Sequence, residues 1–124
     1  MVARRVLVAE DEEPMRVALA RLLAAAGHDV ETAGDGEAAL AALRRAPPDC
    51  AVLDAMLAGR DGWDLCRAVR ADPALGGIRI VLTSPRGRPV DREKARALGA
   101  DAMLTKPFGF ADLMAALAGT EAAP

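Results

Sequence analysis

Ala51-Val52-Leu53-Asp54, running on into Ala55-Met56-Leu57-Ala58-Gly59, decides how the rest of the chain is read. A short apolar run, bounded by Pro47-Pro48 upstream and by glycines downstream, ends abruptly in a carboxylate. A run of that length with those boundaries reads as a buried strand. Its last residue then stands where a parallel sheet hands the chain to a loop, the edge at which open α/β sheets keep their chemistry.

The same unit recurs on both sides. Upstream, Arg5-Val6-Leu7-Val8-Ala9 is an apolar strand, buried on both faces, that runs into Glu10-Asp11-Glu12-Glu13-Pro14. Pro14 suits a first helical turn, and acids there favour the positive end of the helix dipole. Met15, Leu19, Leu22, Leu23 and Ala26 mark one face of that helix, which Gly27 closes. Val30 to Ala33 reads as a second strand. Asp35-Gly36 then turns into a helix carrying Leu40 and Leu43, stopped by Pro47-Pro48.

Downstream of Asp54, Gly59 and Gly62 read as turn glycines needing an unusual φ. Asp64 to Ala71 is a third helix with Leu65 and Val69 inward, and Ile78 to Leu82 a fourth strand ending at Thr83-Ser84. Arg86 to Arg92 reads as a basic, proline-broken loop. Pro85 and Pro89 should shorten or shift the start of a helix over Val90 to Leu98, closed by Gly99. Ala102 to Leu104 makes a fifth strand, Lys106-Pro107-Phe108 a turn, and Ala111 to Ala118 the last helix. Strand and helix alternate about five times, so the expected class is α/β, a parallel sheet covered on both faces.

The 124 residues suit one domain, 1–124, with a core over about 4–118. No output domain or linker is visible, and the tail after Gly119 is too short to be one. No run approaches the roughly 18 apolar residues of a membrane span, and Glu10 to Glu13 interrupts the stretch after the basic start, which disfavours a signal peptide. A cytoplasmic protein is expected. A net charge of −2 argues against direct nucleic-acid binding, which needs a basic stripe. Cys50 and Cys66 form no CxxC and read as free thiols acting as small buried hydrophobes. Trp63, Phe108 and Phe110 are too few aromatics for a stacking platform. His28 reads as an exposed loop residue and not a relay histidine.

Set against the strand ends, the special residues fall into one place. Glu10 and Asp11 follow the first strand, Asp54 ends the third, Thr83 and Ser84 follow the fourth, and Lys106 follows the fifth. All converge on the carboxyl edge of the sheet. Three carboxylates there repel one another unless something positive sits among them, and a hard divalent cation such as Mg²⁺ answers that need. Lys106 adds a point charge for an anionic group and Thr83 a hydroxyl donor. Together they describe a site for a phosphoryl group on an aspartate.

In these stretches the chain resembles the receiver domain of two-component response regulators, over about residues 4 to 118. The resemblance is carried by Val8-Ala9-Glu10-Asp11-Glu12, Val52-Leu53-Asp54 through Gly59-Arg60-Asp61-Gly62, Leu82-Thr83-Ser84, Gly99-Ala100-Asp101-Ala102 and Lys106-Pro107-Phe108. It implies a three-layer (βα)5, flavodoxin-like fold with strand order 2-1-3-4-5. It also implies that Asp54 is the phospho-acceptor, and that Glu10, Asp11, Asp54 and the backbone carbonyl of Met56 hold Mg²⁺. Lys106 would contact the phosphoryl oxygens after a cis Lys106-Pro107 bond, and Thr83 would be the switch hydroxyl. A histidine kinase or phosphotransfer protein would be the donor. A downstream protein or output domain would be the recipient, reached through a surface around the fourth helix, fifth strand and fifth helix. Such a module is not an enzyme beyond its own phosphorylation and slow self-dephosphorylation.

Departures from the family pattern mark where behaviour should differ. Met103 stands where the family has a switch aromatic, and Ala58 where it often has proline. Met56 and Pro85, two residues after Asp54 and Thr83, cannot hydrogen-bond an attacking water strongly, so slow dephosphorylation is expected. Arg86, Arg88, Arg92, Lys94 and Arg96 read as a solvated face that lies on the family's signalling surface. Trp63 reads as helix-start packing, close enough to Asp54 to act as a reporter. The last helix carries Asp112 as its only charge, so the acid/base ladder of dimeric relatives is largely missing, and a hydrophobic homodimer or a monomer both fit. The rival readings are a pseudo-receiver that works without phosphorylation and a haloacid-dehalogenase-type phosphohydrolase. The hydrolase needs a second aspartate where Met56 stands. A flavodoxin is disfavoured because the loop after the first strand is acidic.

Overall fold

The computed structural model describes residues 4–119. Its strands are β1 (Arg5–Ala9), β2 (Asp29–Ala33), β3 (Cys50–Asp54), β4 (Arg79–Ser84) and β5 (Ala102–Thr105). They alternate with helices α1 (Glu13–Ala25), α2 (Gly36–Arg45), α3 (Gly62–Ala71), α4 (Pro89–Ala97) and α5 (Phe110–Ala118). All pairings are parallel, and the order is β2-β1-β3-β4-β5, the expected doubly wound sheet. The tail after Gly119 lies outside the described residues.

The strands read as continuous apolar runs because both faces are covered. Side chains alternate between two cores. Leu7, Ala9, Ala51, Leu53, Ile80 and Leu82 pack with Leu40, Leu43, Leu65 and Val69 of α2 and α3. Val6, Val8, Cys50, Val52 and Val81 pack instead with Leu19 and Leu23 of α1 and Leu113, Ala116 and Leu117 of α5. β3 sits at the centre and is buried at every residue, so Asp54 is held at the end of the most constrained strand.

The helix ends follow the chemistry of their residues. Asp35 and Asp61 cap α2 and α3 by accepting from the amides of Ala38 and Asp64. Gly27 and Gly99 take positive φ after α1 and α4, as expected of closing glycines. Pro89 is the first residue of α4, so Val90 to Arg92 are already helical and the proline-broken loop is shorter than the sequence suggested. A short 3₁₀ turn, Pro73–Leu75, precedes β4 and was not anticipated. It buries Leu75, and Asp72 caps it by accepting from the Ala74 amide.

Two further readings need correction. His28 is 7% exposed, not a solvent-facing loop residue. Its Nδ1 accepts from the Arg4 amide at 3.1 Å, tying the start of β1 to the turn before β2. Gly62 has no positive φ and is required by space instead: a Cβ there would lie 2.4 Å from the Asp54 carbonyl oxygen. Gly59 does take φ of 78°. Cys50 and Cys66 are both buried and free, as expected.

Candidate functional site: an acidic pocket with a lysine at the carboxyl edge

The sequence-singled residues meet where β1, β3, β4 and β5 end. Glu10 directly follows β1 and is 2% exposed, while Asp54 is 3% exposed and Asp11 lies open to solvent. Carboxylate oxygens of these three acids lie within 4.8 Å of one another. Lys106 enters this group from the end of β5, after which the Lys106-Pro107 bond is cis. Its Nζ donates to Glu10 Oε1 at 2.7 Å and to Asp54 Oδ2 at 3.0 Å.

Each buried carboxylate divides its oxygens in the same way. Glu10 Oε2 accepts from the Glu12 amide at 3.1 Å, and Asp54 Oδ1 from the Met56 amide at 3.0 Å. One oxygen is therefore fixed by the chain's own turn and the other meets the ammonium. Burial, opposed by the hydrogen bonds from Lys106 and Glu12, pushes the Glu10 carboxyl above its usual range. Burial also works against the charged form of Lys106, but the hydrogen bonds to Glu10 and Asp54 outweigh it and raise its pKa. One ammonium faces three carboxylates, so the pocket keeps a negative excess.

β4 frames the pocket. Thr83 is buried and pairs in register with Asp54, and its carbonyl accepts from the Ala55 amide at 2.8 Å. The Ser84 carbonyl accepts from the Lys106 amide at 2.8 Å. Consecutive β4 carbonyls thus position the residue after the aspartate and the lysine itself. On the other side Gly62 lets α3 begin against the Asp54 carbonyl, and the Gly36 amide donates to Ala58 O at 3.0 Å. The loop after Asp54 is therefore tied to α2 through the main chain of Ala58.

Two contributors went unread in the sequence. Arg16, from α1, donates to the Glu10 carbonyl oxygen at 2.9 Å and packs against Gly34, bridging the loops after β1 and β2. Its place one turn beyond the acidic segment, on the end of α1 nearest the pocket, was the available signal. Lys94 of α4 lies 4.5 Å above the Trp63 ring, so Trp63 is more than helix-start packing. Met103 is half-buried against the α2/α3 core, whereas Met56 is 59% exposed beside the pocket.

Comparison with known proteins fixes the family. The sequence pattern of the response regulator receiver domain matches residues 6–118. The chain belongs to the response regulator receiver family. Over 113 residues it is 41% identical to the transcriptional regulatory protein TcrA of Mycobacterium tuberculosis, a match covering 91% of this chain and 44% of TcrA. The chain thus spans less than half the length of that relative. Among solved structures it superposes on the chemotaxis response regulator CheY4 of Vibrio cholerae with a TM-score of 0.89 at 28% identity, covering 97% of this chain and all of the other. A response regulator from Burkholderia pseudomallei, solved with a phosphorylated aspartic acid, a calcium ion and citrate, gives 0.84 at 25% identity, covering 92% of this chain and 66% of that one.

As a receiver, this protein is a two-component signalling module of the phospho-acceptor type rather than a classical enzyme. Its acidic residues fit a metal ion on their chemistry. They offer hard oxygen donors, two buried and one solvent-accessible, around an excess of negative charge. No described helix is long and apolar enough to cross a membrane.

Proposed function

We propose that this receiver accepts a phosphoryl group on Asp54 from a histidine kinase or phosphotransfer protein, in a Mg²⁺-dependent reaction. The observation that carries this reading is Lys106 Nζ bridging Glu10 and Asp54 inside a cluster of three acids. Glu10, Asp11, Asp54 and the Met56 carbonyl would hold the ion. When bound, Mg²⁺ supplies positive charge to the phosphoryl oxygens and to the acceptor carboxylate.

In the transfer, an Asp54 carboxylate oxygen bonds to phosphorus as the P–N bond to the donor imidazole breaks. The bonding pair leaves with the imidazole, which takes a proton from solvent. The Met56 amide and Lys106 fix the orientation of the Asp54 carboxylate before the donor arrives. Lys106 would exchange its carboxylate contacts for phosphoryl oxygens, where its charge stabilises the transferring group. Thr83, beside Asp54 in register, would turn its hydroxyl to the phosphoryl group and bias the surface of α4, β5 and α5. Thr83 pairs with Leu104, and Met103 precedes it, so the half-buried methionine would relay that bias.

Met56 and Pro85 both lie exposed beside the site, and neither side chain can orient a hydrolytic water strongly. The phospho-form should outlast seconds in Mg²⁺ buffer, and decay within seconds would contradict this. The reading as a whole is tested by intact mass after incubation with Mg²⁺ and a small phosphodonor. A gain of one phosphoryl group is expected in the native sequence and none in Asp54→Asn. No gain in either protein favours a pseudo-receiver, and an equal gain in both moves the acceptor elsewhere.

A further inference from the structure

The Glu10 and Asp54 carboxylates are each fixed by Lys106 and by an amide two residues on. Asp11, the solvent-open member of the acidic cluster, is placed instead by the main chain on either side of it. The Glu10 amide donates to Ala33 O at 3.1 Å, and the Glu10 carbonyl accepts from Arg16 Nη1 at 2.9 Å. On the far side, the Glu12 carbonyl accepts from the Arg16 amide at 2.9 Å, the first hydrogen bond of α1. Arg16 therefore closes the chain before Asp11 with its side chain and after it with its backbone.

Gly34 leaves room for this arrangement. A Cβ there would lie 3.2 Å from Arg16 Nη1, 3.6 Å from Cζ and 4.0 Å from Nη2, so the loop after β2 passes directly over the guanidinium. Any retreat from such a Cβ would stretch the bond to Glu10 O. The choice of partner matters too. On a loop that carries two carboxylates of the cluster, this cation takes a main-chain carbonyl.

We propose that Arg16 is a positioning residue of the ion site. By holding the Glu10 peptide from the α1 side, it fixes the direction in which Asp11 offers its carboxylate, and so sets the affinity for a divalent cation. This rests on the receiver reading above. The two ways a cation could act here have opposite signs. A guanidinium acting through its charge would compete with the ion, and its removal would tighten binding. A guanidinium acting through position orients a ligand, and its removal weakens binding.

The test is calorimetric Mg²⁺ titration of the native domain and of Arg16→Met, Arg16→Lys, Gly34→Ala and the double variant Arg16→Met/Gly34→Ala. Affinity should fall about tenfold in Arg16→Met. Arg16→Lys, which keeps a donor and the charge, should recover part of the loss. Gly34→Ala leaves every hydrogen-bonding group in place and keeps the test open should Arg16→Met fail to fold. It should cost about two- to threefold alone and nothing further once Arg16 is gone. Arg21→Met, on the exposed side of α1, should bind as the native domain does. The Mg²⁺ concentration that half-saturates phosphorylation by a small phosphodonor should rise in parallel, with the rate at saturating Mg²⁺ nearly kept. Tighter or unchanged binding in Arg16→Met, an equal loss in Arg21→Met, no loss in Gly34→Ala, or full additivity in the double variant would overturn the assignment while leaving the receiver reading intact. No saturable Mg²⁺ binding in the native domain would overturn both.

Discussion

The two ends of the sheet handle charge in opposite ways. At the amino end, arginines are spent on main-chain carbonyls. Arg4 donates to Leu117 O at 2.6 Å, Arg79 to Ala116 O at 2.7 Å, and Arg5 to the carbonyls of Ala46 and Pro47. Arg70 donates to Gly76, Ile78 and Gly99 carbonyls and to Asp101. Arg4 and Arg79 thereby satisfy last-turn carbonyls of α5 and favour the negative end of its dipole, while Arg5 holds the carbonyls just past α2. At the carboxyl end, three acids cluster and one lysine pairs with two of them, Glu10 and Asp54. The first arrangement is complete in itself, and the second has the chemistry to take added positive charge. The difference separates a frame from a site: one set of charges fixes backbone, while the other is left to respond.

The contrast can be broken most severely at Lys106. Lys106→Met should slow phosphorylation by on the order of 10²–10³-fold, because the lost charge acts on the transferring group. The same change should tighten Mg²⁺ binding by about tenfold or more, since the ammonium no longer occupies Glu10 Oε1 and Asp54 Oδ2. Phosphorylation kinetics and calorimetry read the two effects separately. Weaker Mg²⁺ binding in this variant would mean that the lysine organises the acids instead of competing for them.

Arg70→Met probes the opposite end. It should lower unfolding stability by about 2–3 kcal/mol, measured by urea titration, by leaving carbonyls of the β4 and β5 approaches without their donor. Mg²⁺ affinity should not change. A loss of Mg²⁺ affinity matching the loss of stability would erase the distinction between frame and site.

A smaller effect is expected from pH. The folded chain holds the Glu10 proton more tightly than the unfolded one, because burial raises this carboxyl above its ordinary 4.5. Its contribution therefore makes stability fall as pH rises from about 4.5 through the raised folded value. Glu10→Gln should flatten that part of the urea-midpoint profile. Lys106 has the same sign in a higher window: its contribution is lost as pH rises from about 10.5 through its own raised value. The smallest change belongs to Lys94→Met, which removes a charge above Trp63 at a cost of roughly 0.5 kcal/mol. Its readout is a shift in Trp63 fluorescence with phosphorylation retained.

The strand ends were legible because a doubly wound sheet converts sequence order into spatial convergence. Glu10, Asp54, Thr83 and Lys106 needed only their places after apolar runs to be brought together. Less was readable where the cause is a close approach across the fold. Gly62 resembles any turn glycine until the Asp54 carbonyl is seen against it. His28 follows a closing glycine and reads as a surface residue, yet the Arg4 amide draws it inward. The clasp of Lys94 on Trp63 joins residues 31 positions apart on two helices, and no local pattern encodes it. Pro89 was legible as a breaker but not as the first residue of α4, since the same fixed φ serves both roles.

The most direct test of the contrast between the two ends is a calorimetric Mg²⁺ titration of the native domain beside Asp54→Asn, Asp11→Asn and Arg70→Met. One saturable site is expected in the native domain and in Arg70→Met, weakened at least about tenfold in each acid variant. Saturable binding that is untouched in Asp54→Asn and Asp11→Asn, or no saturable binding in the native domain, would contradict the assignment of the acidic pocket as the responsive end of the molecule.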